Sequence, residues 1–387
     1  MKGRDVIVNG AGAERLAAGH VWVFRGQILG GEPADGDVVR VSDQRGRFHG
    51  VAFYSAASAI ALRIVTGEDR PVDQAFLARR LTAARSRRTR WLPEVPAYRL
   101  VHGEADGIPG TVVDVYGEHI VLQTLTAGSE KLIDALTAAL VELLQPTSIL
   151  LRNDAGVRRL EGLPREVRQL HGVTPERVPV REGAVHLTAD LWRGQKTGLF
   201  LDQRENRIAI ESLGGKKVLD CFAYEGAFAL HAAPGAEQVV AVDVSAAALA
   251  QVEVHARLNG FTQIRTLEGN AFDILRSLAA SGERFDLVIL DPPAFAKNKA
   301  ALEGALRGYK EINLRALKLL VPGGHLVTAS CSYHMTELRF EEMLRDAAAD
   351  ARRTVRVIAR RGQALDHPVL LGVPETSYLK CWVLEAE

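Results

Sequence analysis

The segment from Lys217 to Asp243 constrains the fold of this chain more than any other segment. An apolar run ends in Asp220, a turn containing Gly226 opens an amphipathic segment, and a second apolar run ends in Asp243. The pattern predicts a strand, a ligand loop, a helix and a parallel strand, which form the first unit of a nucleotide-type α/β fold. Because parallel strands end at the same edge of a sheet, the loop and the second acid should meet one ligand there.

The residues of this loop narrow the ligand to a nucleoside without phosphates. An acid about 20 residues beyond the loop suits a ribose diol. A pyrophosphate loop needs three glycines, whereas this loop has only Gly226, and Phe222 and Tyr224 stand where the backbone would approach phosphate. We therefore expect S-adenosylmethionine rather than NAD as the ligand. The alternative is an ordinary α/β core whose strand-end acids cap helices.

Length and composition predict a multidomain globular protein. The 387 residues suggest two or three domains, and 47% hydrophobic with 25% charged residues is enough to bury cores. No apolar run approaches the ~18 residues of a membrane span and the N-terminus is polar, so we expect a cytoplasmic protein without a membrane segment. The widely spaced Cys221, Cys331 and Cys381 predict neither a disulfide framework nor a metal site.

The charge pattern excludes a uniformly basic surface but contains two arginine clusters. The formal net charge is only +1. One cluster lies between residues 79 and 90, and the other lies between residues 352 and 361. Such clusters can hold a phosphate backbone, and the alternative for each is a solvated helix face.

Residues 1–180 predict two small modules. Short strands separated by glycines predict a β-barrel over residues 1–72, which would serve as a binding module. Residues 73–180 begin with a helix over 74–91 and continue as an α+β domain, in which a hairpin is followed by a helix capped by Ser129 and by another strand.

Residues 181–387 continue the α/β rhythm and form the third predicted domain. A polar stretch over 195–207 precedes its first strand, and in it Asp202 would cap the helix that Gln203 begins, or the polar groups would face the cofactor. Further strands are predicted over 264–268, 286–290 and 325–330, separated by helices over 246–259 and 306–320. The strands deliver four residues to one edge, where ligands bind in open α/β sheets: Asp220, Asp243, Asp291 and Cys331.

The sequence Asp291-Pro292-Pro293 follows the fourth predicted strand of this domain. Its two prolines fix the backbone and remove two amide donors, which holds an open loop beside the cofactor. Such a loop suits a planar base or amide placed next to a methyl donor. The alternative is a proline-terminated strand with no catalytic role.

Cys331 discriminates between methylation of carbon and methylation of nitrogen or oxygen. Carbon 5 of a pyrimidine is a poor nucleophile unless carbon 6 is first attacked, and a thiolate can form that covalent adduct. Cys331 lies at a strand end in a polar context with His334 near, which would favour the thiolate. A buried structural cysteine is the alternative, and it is what we expect of Cys221 and Cys381.

Several motifs resemble those of one family over nearly the whole chain. They are Gly19–Phe24, His102–Gly110, Gln195–Gly198 with Asp202–Arg204, Asp291–Phe295 and Ser330–Ser332. The family is that of the bacterial class I 23S ribosomal RNA cytosine-C5 methyltransferases with an N-terminal PUA domain, of the large-subunit methyltransferase I type. The resemblance implies a PUA module that presents RNA, a linking α+β domain and a class I methyltransferase domain with a seven-stranded sheet.

The resemblance also implies roles for individual residues and partners. Cys331 would attack carbon 6 of the cytosine, and Asp291 would orient the base. The residues that would bind S-adenosylmethionine are Gln203, Asp220, Phe222, Ala223, Tyr224, Gly226, Asp243, Asn270, Ala271, Asp291 and Pro292. The expected partners are 23S ribosomal RNA and a second copy of the chain in a homodimer, and the base that removes the proton from carbon 5 is left unassigned.

Two other functions stay open at this point. An Asp-Pro-Pro sequence also resembles the loop of amino-methyltransferases, so the same fold is compatible with methylation of an exocyclic nitrogen. A non-catalytic RNA-binding or assembly protein, with a vestigial methyltransferase domain, is the other alternative.

Overall fold

The computed structural model describes residues 5–295 and 302–387, so the first four residues of the predicted barrel lie outside the described residues. The chain forms two compact units. The first contains the chain as far as Val180 together with Thr188–Asp202 and Leu365–Thr376. The second contains Arg181–Leu187, Gln203–Ala364 and Ser377–Glu387.

The N-terminal part of the first unit is a six-stranded mixed sheet. Its strands are β1 (Asp5–Val8), β2 (Trp22–Phe24), β3 (Ile28–Gly30), β4 (Val38–Asp43), β5 (Phe48–Tyr54) and β6 (Ile60–Thr66), in the order β2-β6-β5-β4-β1-β3. β1 pairs parallel with β4, and the other pairs are antiparallel. Alternate residues along the strands are buried, and their valine, leucine and alanine side chains form one shared apolar core.

A helix that the sequence did not predict follows β1. Helix α1 covers Gly10–Ala17, although its glycines suggested a turn. The side chain of Asn9 caps this helix by accepting a hydrogen bond from the Gly12 amide at 2.9 Å. A Cβ at Gly12 would lie 3.2 Å from Cβ of Val8, so the glycine permits close packing of α1 on the sheet.

The rest of the first unit is built around a five-stranded sheet. Its strands are β7 (Ala97–His102), β8 (Thr111–Tyr116), β9 (His119–Thr124), β10 (Ser148–Asn153) and β11 (Glu166–Gly172), in the order β11-β10-β9-β8-β7. The predicted helix over 74–91 is confirmed as α2 (Gln74–Trp91), which Asp73 caps. The single helix expected from Ser129 was wrong, because α3 (Ala127–Glu130) and α4 (Ile133–Leu144) are separate and Thr126 caps the first of them.

A hairpin of β12 (Val178–Glu182) and β13 (Val185–Ala189) precedes helix α5 (Arg204–Ile210). The prediction that Asp202 caps this helix was wrong. Asp202 instead forms an ion pair with Lys196, and Gln203 stands at the cap position without a capping side-chain hydrogen bond. The carboxylate is therefore neutralised by a cation.

The second unit is organised by a seven-stranded sheet. Its strands are β14 (Lys217–Cys221), β15 (Gln238–Asp243), β16 (Ile264–Glu268), β17 (Phe285–Leu290), β18 (Leu320–Ser330), β19 (Val355–Arg361) and β20 (Lys380–Ala386). Its other helices are α6 (Ala227–Ala232), α7 (Ala246–Leu258), α8 (Ala271–Ala280), α9 (Leu302–Leu319) and α10 (Glu337–Ala351). The expected seven-stranded α/β architecture is confirmed.

The strand order of this sheet creates the crevice that the sequence predicted. The order is β16-β15-β14-β17-β18-β20-β19, and only β20 runs antiparallel to its neighbours. The chain runs outward from β14 to β16 and then returns to the other side of β14 at β17, so the loops after β14 and β17 diverge at the carboxyl edge. Both faces of the sheet are buried, since Leu287 and Ile289 pack on one side and Val288 and Leu290 on the other.

Candidate active site at the carboxyl edge

Asp220 is a buried carboxylate near the end of β14. One of its oxygens, Oδ2, accepts a hydrogen bond from the Ala229 amide at 2.9 Å. The other, Oδ1, is buried and has no hydrogen-bond partner among the described residues. Burial raises the pKa of Asp220 well above its ordinary value, and the nearby carboxylates of Asp291 and Asp243 raise it further. Three carboxylates therefore lie near one another at this edge. Among the described residues, no cationic side chain pairs with Asp220.

The loop after β14 is held in an unusual backbone conformation. Phe222, Tyr224 and Gly226 all have positive φ, at 65°, 50° and 82°. For the two aromatic residues this left-handed conformation costs free energy, which is typical of functional loops. A Cβ at Gly226 would lie 2.9 Å from both methyl groups of Val252, so only glycine fits there. Ala223, between the two aromatic residues, is buried.

Asp243 organises this loop from the end of β15. Its Oδ2 accepts a hydrogen bond from the Tyr224 amide at 2.9 Å, and its Oδ1 accepts one from the Ser245 amide at 2.9 Å. Ser245, not Asp243, caps helix α7. A carboxylate has about four lone-pair positions, so both oxygens can still accept from a bound diol.

Asn270 and Ala271 follow β16 at the same edge. The Oδ1 atom of Asn270 accepts a hydrogen bond from the Phe272 amide at 2.9 Å and caps helix α8. Asn270 itself is exposed, whereas Ala271 is buried in the first turn of that helix. Asn270 therefore caps helix α8, and within the described residues its side chain makes no other hydrogen bond.

Gln203 is brought to the end of β17, where it contacts Asp291. Its side-chain amide donates a hydrogen bond to Oδ1 of Asp291 at 2.9 Å. Its carbonyl oxygen accepts from the side chain of Asn206 at 2.6 Å, and Asn206 also donates to the Gly362 carbonyl at 3.0 Å. This chain of amides fixes the orientation of the Asp291 carboxylate, while Pro292 directly after it is buried.

Cys331 follows β18 and differs from the other two cysteines in exposure. Its side chain is half-buried, whereas Cys221 and Cys381 are fully buried as expected. His334, which the sequence placed near the thiol, packs its ring against that of Tyr333 with centroids 5.3 Å apart.

Two polar side chains that the sequence did not single out lie beside this cysteine. The phenol oxygen of Tyr309 is 3.0 Å from Oγ of Ser330 and 3.1 Å from Oγ of Ser332. The ammonium of Lys380 donates to the Ser332 carbonyl at 2.9 Å. Lys380 is the one charged residue in the otherwise apolar run 379–384, and that break in the pattern is the signal that would have found it.

A cluster of aromatic rings lies next to these groups. Phe295, at the end of the Asp-Pro-Pro loop, has its ring centroid 4.6 Å from that of Tyr309, 5.9 Å from that of Phe272 and 6.3 Å from that of Phe222. Apart from the phenol of Tyr309, these rings offer an apolar surface of the kind that planar heterocycles pack against.

The motif over 195–198 serves the first unit. The Thr197 hydroxyl donates to Asp114 at 2.6 Å and lies 2.9 Å from the Tyr116 hydroxyl, so it is anchored on β8. The Tyr116 hydroxyl also accepts from the Leu199 amide at 3.2 Å. Burial raises the pKa of Tyr116, which keeps this hydroxyl protonated. The backbone of the motif is therefore fixed by buried hydrogen bonds.

The two arginine clusters are used largely within the fold. Arg88 of α2 is buried and forms a double hydrogen bond with Asp106, at 2.5 and 2.7 Å. In the second cluster, four side chains have partners in the same unit: Arg353 with backbone carbonyls, Arg356 with Glu385 and Glu387, Arg360 with Glu341, and Arg361 with Asn206. The second cluster is therefore not a continuous basic surface.

Over residues 5–295 and 302–387, no group of three or more histidine, cysteine or acidic side chains is arranged to hold a metal ion. In the same ranges, no helix combines the length and apolar character needed to cross a bilayer.

Known families, relatives and solved structures are similar to this chain. Residues 163–361 match the model of the S-adenosylmethionine-dependent methyltransferase family, and residues 6–67 match that of a PUA-like domain. A ribosomal RNA large subunit methyltransferase I of Aeromonas salmonicida is 40% identical over 377 residues, which is 95% of each chain. A putative S-adenosylmethionine-dependent methyltransferase of Streptococcus mutans superposes with a TM-score of 0.84 at 20% identity, over 98% of this chain and 99% of that one. A putative methyltransferase solved with SAH superposes with a TM-score of 0.86, also at 20% identity and over the same shares.

Proposed function

The chain belongs to the ribosomal RNA large subunit methyltransferase I family of S-adenosylmethionine-dependent methyltransferases, and we propose that it forms 5-methylcytosine in 23S ribosomal RNA through a cysteine adduct. The relative's name covers only ribosomal RNA of the large subunit. The choice of base and atom rests on the chemistry of the residues at the carboxyl edge.

The charge at this edge supports the assignment of the cofactor site. S-adenosylmethionine carries a sulfonium and an ammonium group, and the edge has three neighbouring carboxylates with a buried Asp220 oxygen that lacks a partner. Asp220 with the loop over 222–226 would hold the methionine part, and Asp243 would accept from the ribose diol. Asn270 with Ala271 would contact the adenine. A cationic ligand would offset the repulsion that raises the pKa of Asp220.

The observation that carries the proposal is the placement of Cys331 and Asp291. They follow β18 and β17, which are adjacent parallel strands, so they leave the sheet at the same edge as the Asp220 loop. Cys331 is the one cysteine of the three that is partly exposed, as a nucleophile must be. Asp291 is oriented by Gln203 at 2.9 Å, so its carboxylate is held ready to position a base.

These groups support the following sequence of steps. The thiolate of Cys331 adds to carbon 6 of the cytosine, and the displaced electron pair makes carbon 5 nucleophilic. Carbon 5 takes the methyl group from the sulfonium, whose C–S electron pair stays on the departing thioether sulfur. Loss of the carbon 5 proton to a base then returns an electron pair to the ring, and the S–C6 bond breaks to release the thiolate.

The test is a comparison of Cys331→Ala with Cys381→Ala as the matched control. Large-subunit ribosomal RNA lacking the modification is incubated with each protein and S-adenosylmethionine, and the nucleosides are measured by mass spectrometry. We expect Cys331→Ala to lose at least about 10³-fold in the rate of 5-methylcytosine formation, as removal of a nucleophile typically does. Cys381→Ala should keep its rate, because that thiol is buried and takes no part in the reaction.

Two results would favour the other functions. Undiminished methylation by Cys331→Ala, with the methyl group on an exocyclic nitrogen, would contradict the adduct and favour an N-methyltransferase. Absence of S-adenosylmethionine binding by the unaltered protein in calorimetry would favour a non-catalytic RNA-binding protein.

The site of action and the oligomeric state are part of the same proposal. An enzyme that modifies ribosomal RNA would act in the cytoplasm, where large-subunit RNA is assembled. The proposed homodimer predicts a sedimentation mass of about twice the 42.1 kDa of the chain, and a single-chain mass would contradict it.

A further inference from the structure

Lys380 is a buried cation on the strand next to Cys331. In the antiparallel pairing of β18 with β20, Lys380 lies opposite Ser330, the residue before Cys331. Its side chain is only 8% exposed. Its ammonium group donates to the carbonyl of Ser332, the residue after Cys331, at 2.9 Å and to the carbonyl of Tyr378 at 2.8 Å. The ammonium is thus tied to the backbone that carries the thiol.

No carboxylate neutralises this ammonium within the described residues, because both of its hydrogen-bond acceptors are neutral carbonyls. A buried charge without an anionic partner is costly. Burial lowers the pKa of Lys380 to about 8, and the groups that act against this are a charged Cys331 first and then the exposed Glu337. The phenol of Tyr309 also faces this region, through Ser330 and Ser332.

We propose that Lys380 is the counter-ion of the Cys331 thiolate, an inference that rests on the proposed function. The S–H bond of the half-buried thiol breaks, its proton passes to water, and the resulting thiolate faces the ammonium of Lys380. When the thiolate adds to carbon 6, the negative charge leaves the sulfur. When the S–C6 bond breaks, the electron pair returns to sulfur and the ammonium balances it again.

A purely structural role for Lys380 would be to hold the carbonyls of Ser332 and Tyr378 in place. The two roles differ in what they require of the side chain. Backbone support requires hydrogen-bond donors, which a glutamine supplies without charge. Stabilisation of a thiolate requires positive charge, which an arginine supplies with a different geometry.

The experiment measures the rate at which iodoacetamide alkylates Cys331 as a function of pH. Lys380→Gln, Lys380→Met and Lys380→Arg are compared with the unaltered protein and with Lys216→Gln, a control at an exposed lysine before β14. The alkylated peptide is identified by mass spectrometry, since Cys221 and Cys381 are buried. Thermal melting and S-adenosylmethionine calorimetry report whether each variant is folded.

In the unaltered protein and in Lys216→Gln, the alkylation midpoint should lie below the ~8.5 of an ordinary cysteine. Lys380→Gln and Lys380→Met should shift the midpoint upward by about one pH unit or more, which is roughly a tenfold loss of alkylation rate at neutral pH. Lys380→Arg should restore most of this loss. A midpoint in Lys380→Gln equal to that of the unaltered protein, or no rescue by arginine, would overturn the proposal.

This assay separates the inference from the proposed function, because alkylation needs neither RNA nor methyl transfer. If Cys331→Ala still methylates RNA, the adduct mechanism fails whatever the alkylation profile is. If Cys331→Ala is inactive but the profile of Lys380→Gln is unchanged, only the role of Lys380 fails.

Discussion

Substitution of Asp220 by asparagine should stabilise the protein without its cofactor and weaken cofactor binding. Asparagine keeps an oxygen that can accept from the Ala229 amide, as Asp220 does at 2.9 Å, but it removes the buried negative charge. Burial raises the pKa of Asp220, so the charged carboxylate costs free energy in the folded state. The cost is absent below the pKa of the unfolded chain and grows as the pH rises through the higher folded value.

The size of the effect follows from the buried Oδ1 of Asp220, which has no hydrogen-bond partner in the described structure. The amide nitrogen of asparagine leaves the same position unsatisfied but uncharged, and because a buried charged group without a partner costs more than a neutral one, we expect Asp220→Asn to gain about 1–3 kcal/mol of unfolding free energy near pH 7.5. Because the unfolding entropy is about 2.1 cal/mol/K per residue, each kcal/mol raises the melting temperature of a 387-residue protein by about 1 °C. Loss of a buried charge partner for the cationic cofactor should weaken its binding by about 2 kcal/mol, roughly thirtyfold.

The assay combines thermal melting at several pH values with calorimetric titration of S-adenosylmethionine. Asp346→Asn is the matched control, because Asp346 is exposed on α10. The stability difference between Asp220→Asn and the unaltered protein should shrink as the pH falls toward 4, where the carboxyl becomes protonated in both states. The reasoning is refuted if Asp220→Asn lowers the melting temperature at pH 7.5, or if it binds the cofactor as tightly as the unaltered protein.

Three further substitutions test the supports of the fold by denaturant unfolding. Arg207 lowers the pKa of buried Glu182 from 4.5 to about 2, so Glu182→Gln should lose about 3 kcal/mol of unfolding free energy at pH 7. This deficit should disappear as the pH falls toward 2, and equal stability of the two proteins at pH 7 would contradict the reasoning. Gly226→Ala places a Cβ against Val252 in a backbone with positive φ, so it should lower the unfolding free energy by about 1–3 kcal/mol and remove most of the cofactor affinity. An unchanged calorimetric titration of the cofactor would argue against the loop assignment. Asp106→Asn removes the carboxylate that pairs with buried Arg88 and should lower the unfolding free energy by about 3–5 kcal/mol. A loss under 1 kcal/mol would show that this ion pair is not needed for stability.

The strands of the second unit could be predicted because their signals are local. The strand over Ile264–Glu268 has the predicted bounds, since a segment with the β-branched residues Ile264 and Thr266 lies between Gly260 and Gly269. Strand β5 is harder to predict from the sequence, because Gly50 interrupts its pattern. That glycine has a φ of 143°, and a Cβ there would lie 2.7 Å from the carbonyl of Thr66 on the neighbouring strand. Its role depends on a contact that is distant in sequence.

The strand-end positions of the candidate site could also be predicted, but the contacts that support them could not. Parallel strands place Asp291 and Cys331 at one edge once the α/β rhythm is recognised. Gln203 reaches Asp291 across 88 positions of sequence, and Lys380 reaches the loop after β18 through an antiparallel register. Single-sequence periodicity does not encode such pairings, so only the three-dimensional structure reveals them.

Covalent trapping of RNA tests the central claim most directly. Large-subunit ribosomal RNA that contains 5-fluorocytidine is incubated with the protein and S-adenosylmethionine, and the complex is digested and analysed by mass spectrometry. Fluorine replaces the proton that must leave carbon 5, so the S–C6 bond should persist after methyl transfer. We predict one cross-linked peptide, with the methylated fluorocytidine attached to Cys331. Absence of a covalent complex while ordinary RNA is methylated, or attachment at another residue, would contradict the account.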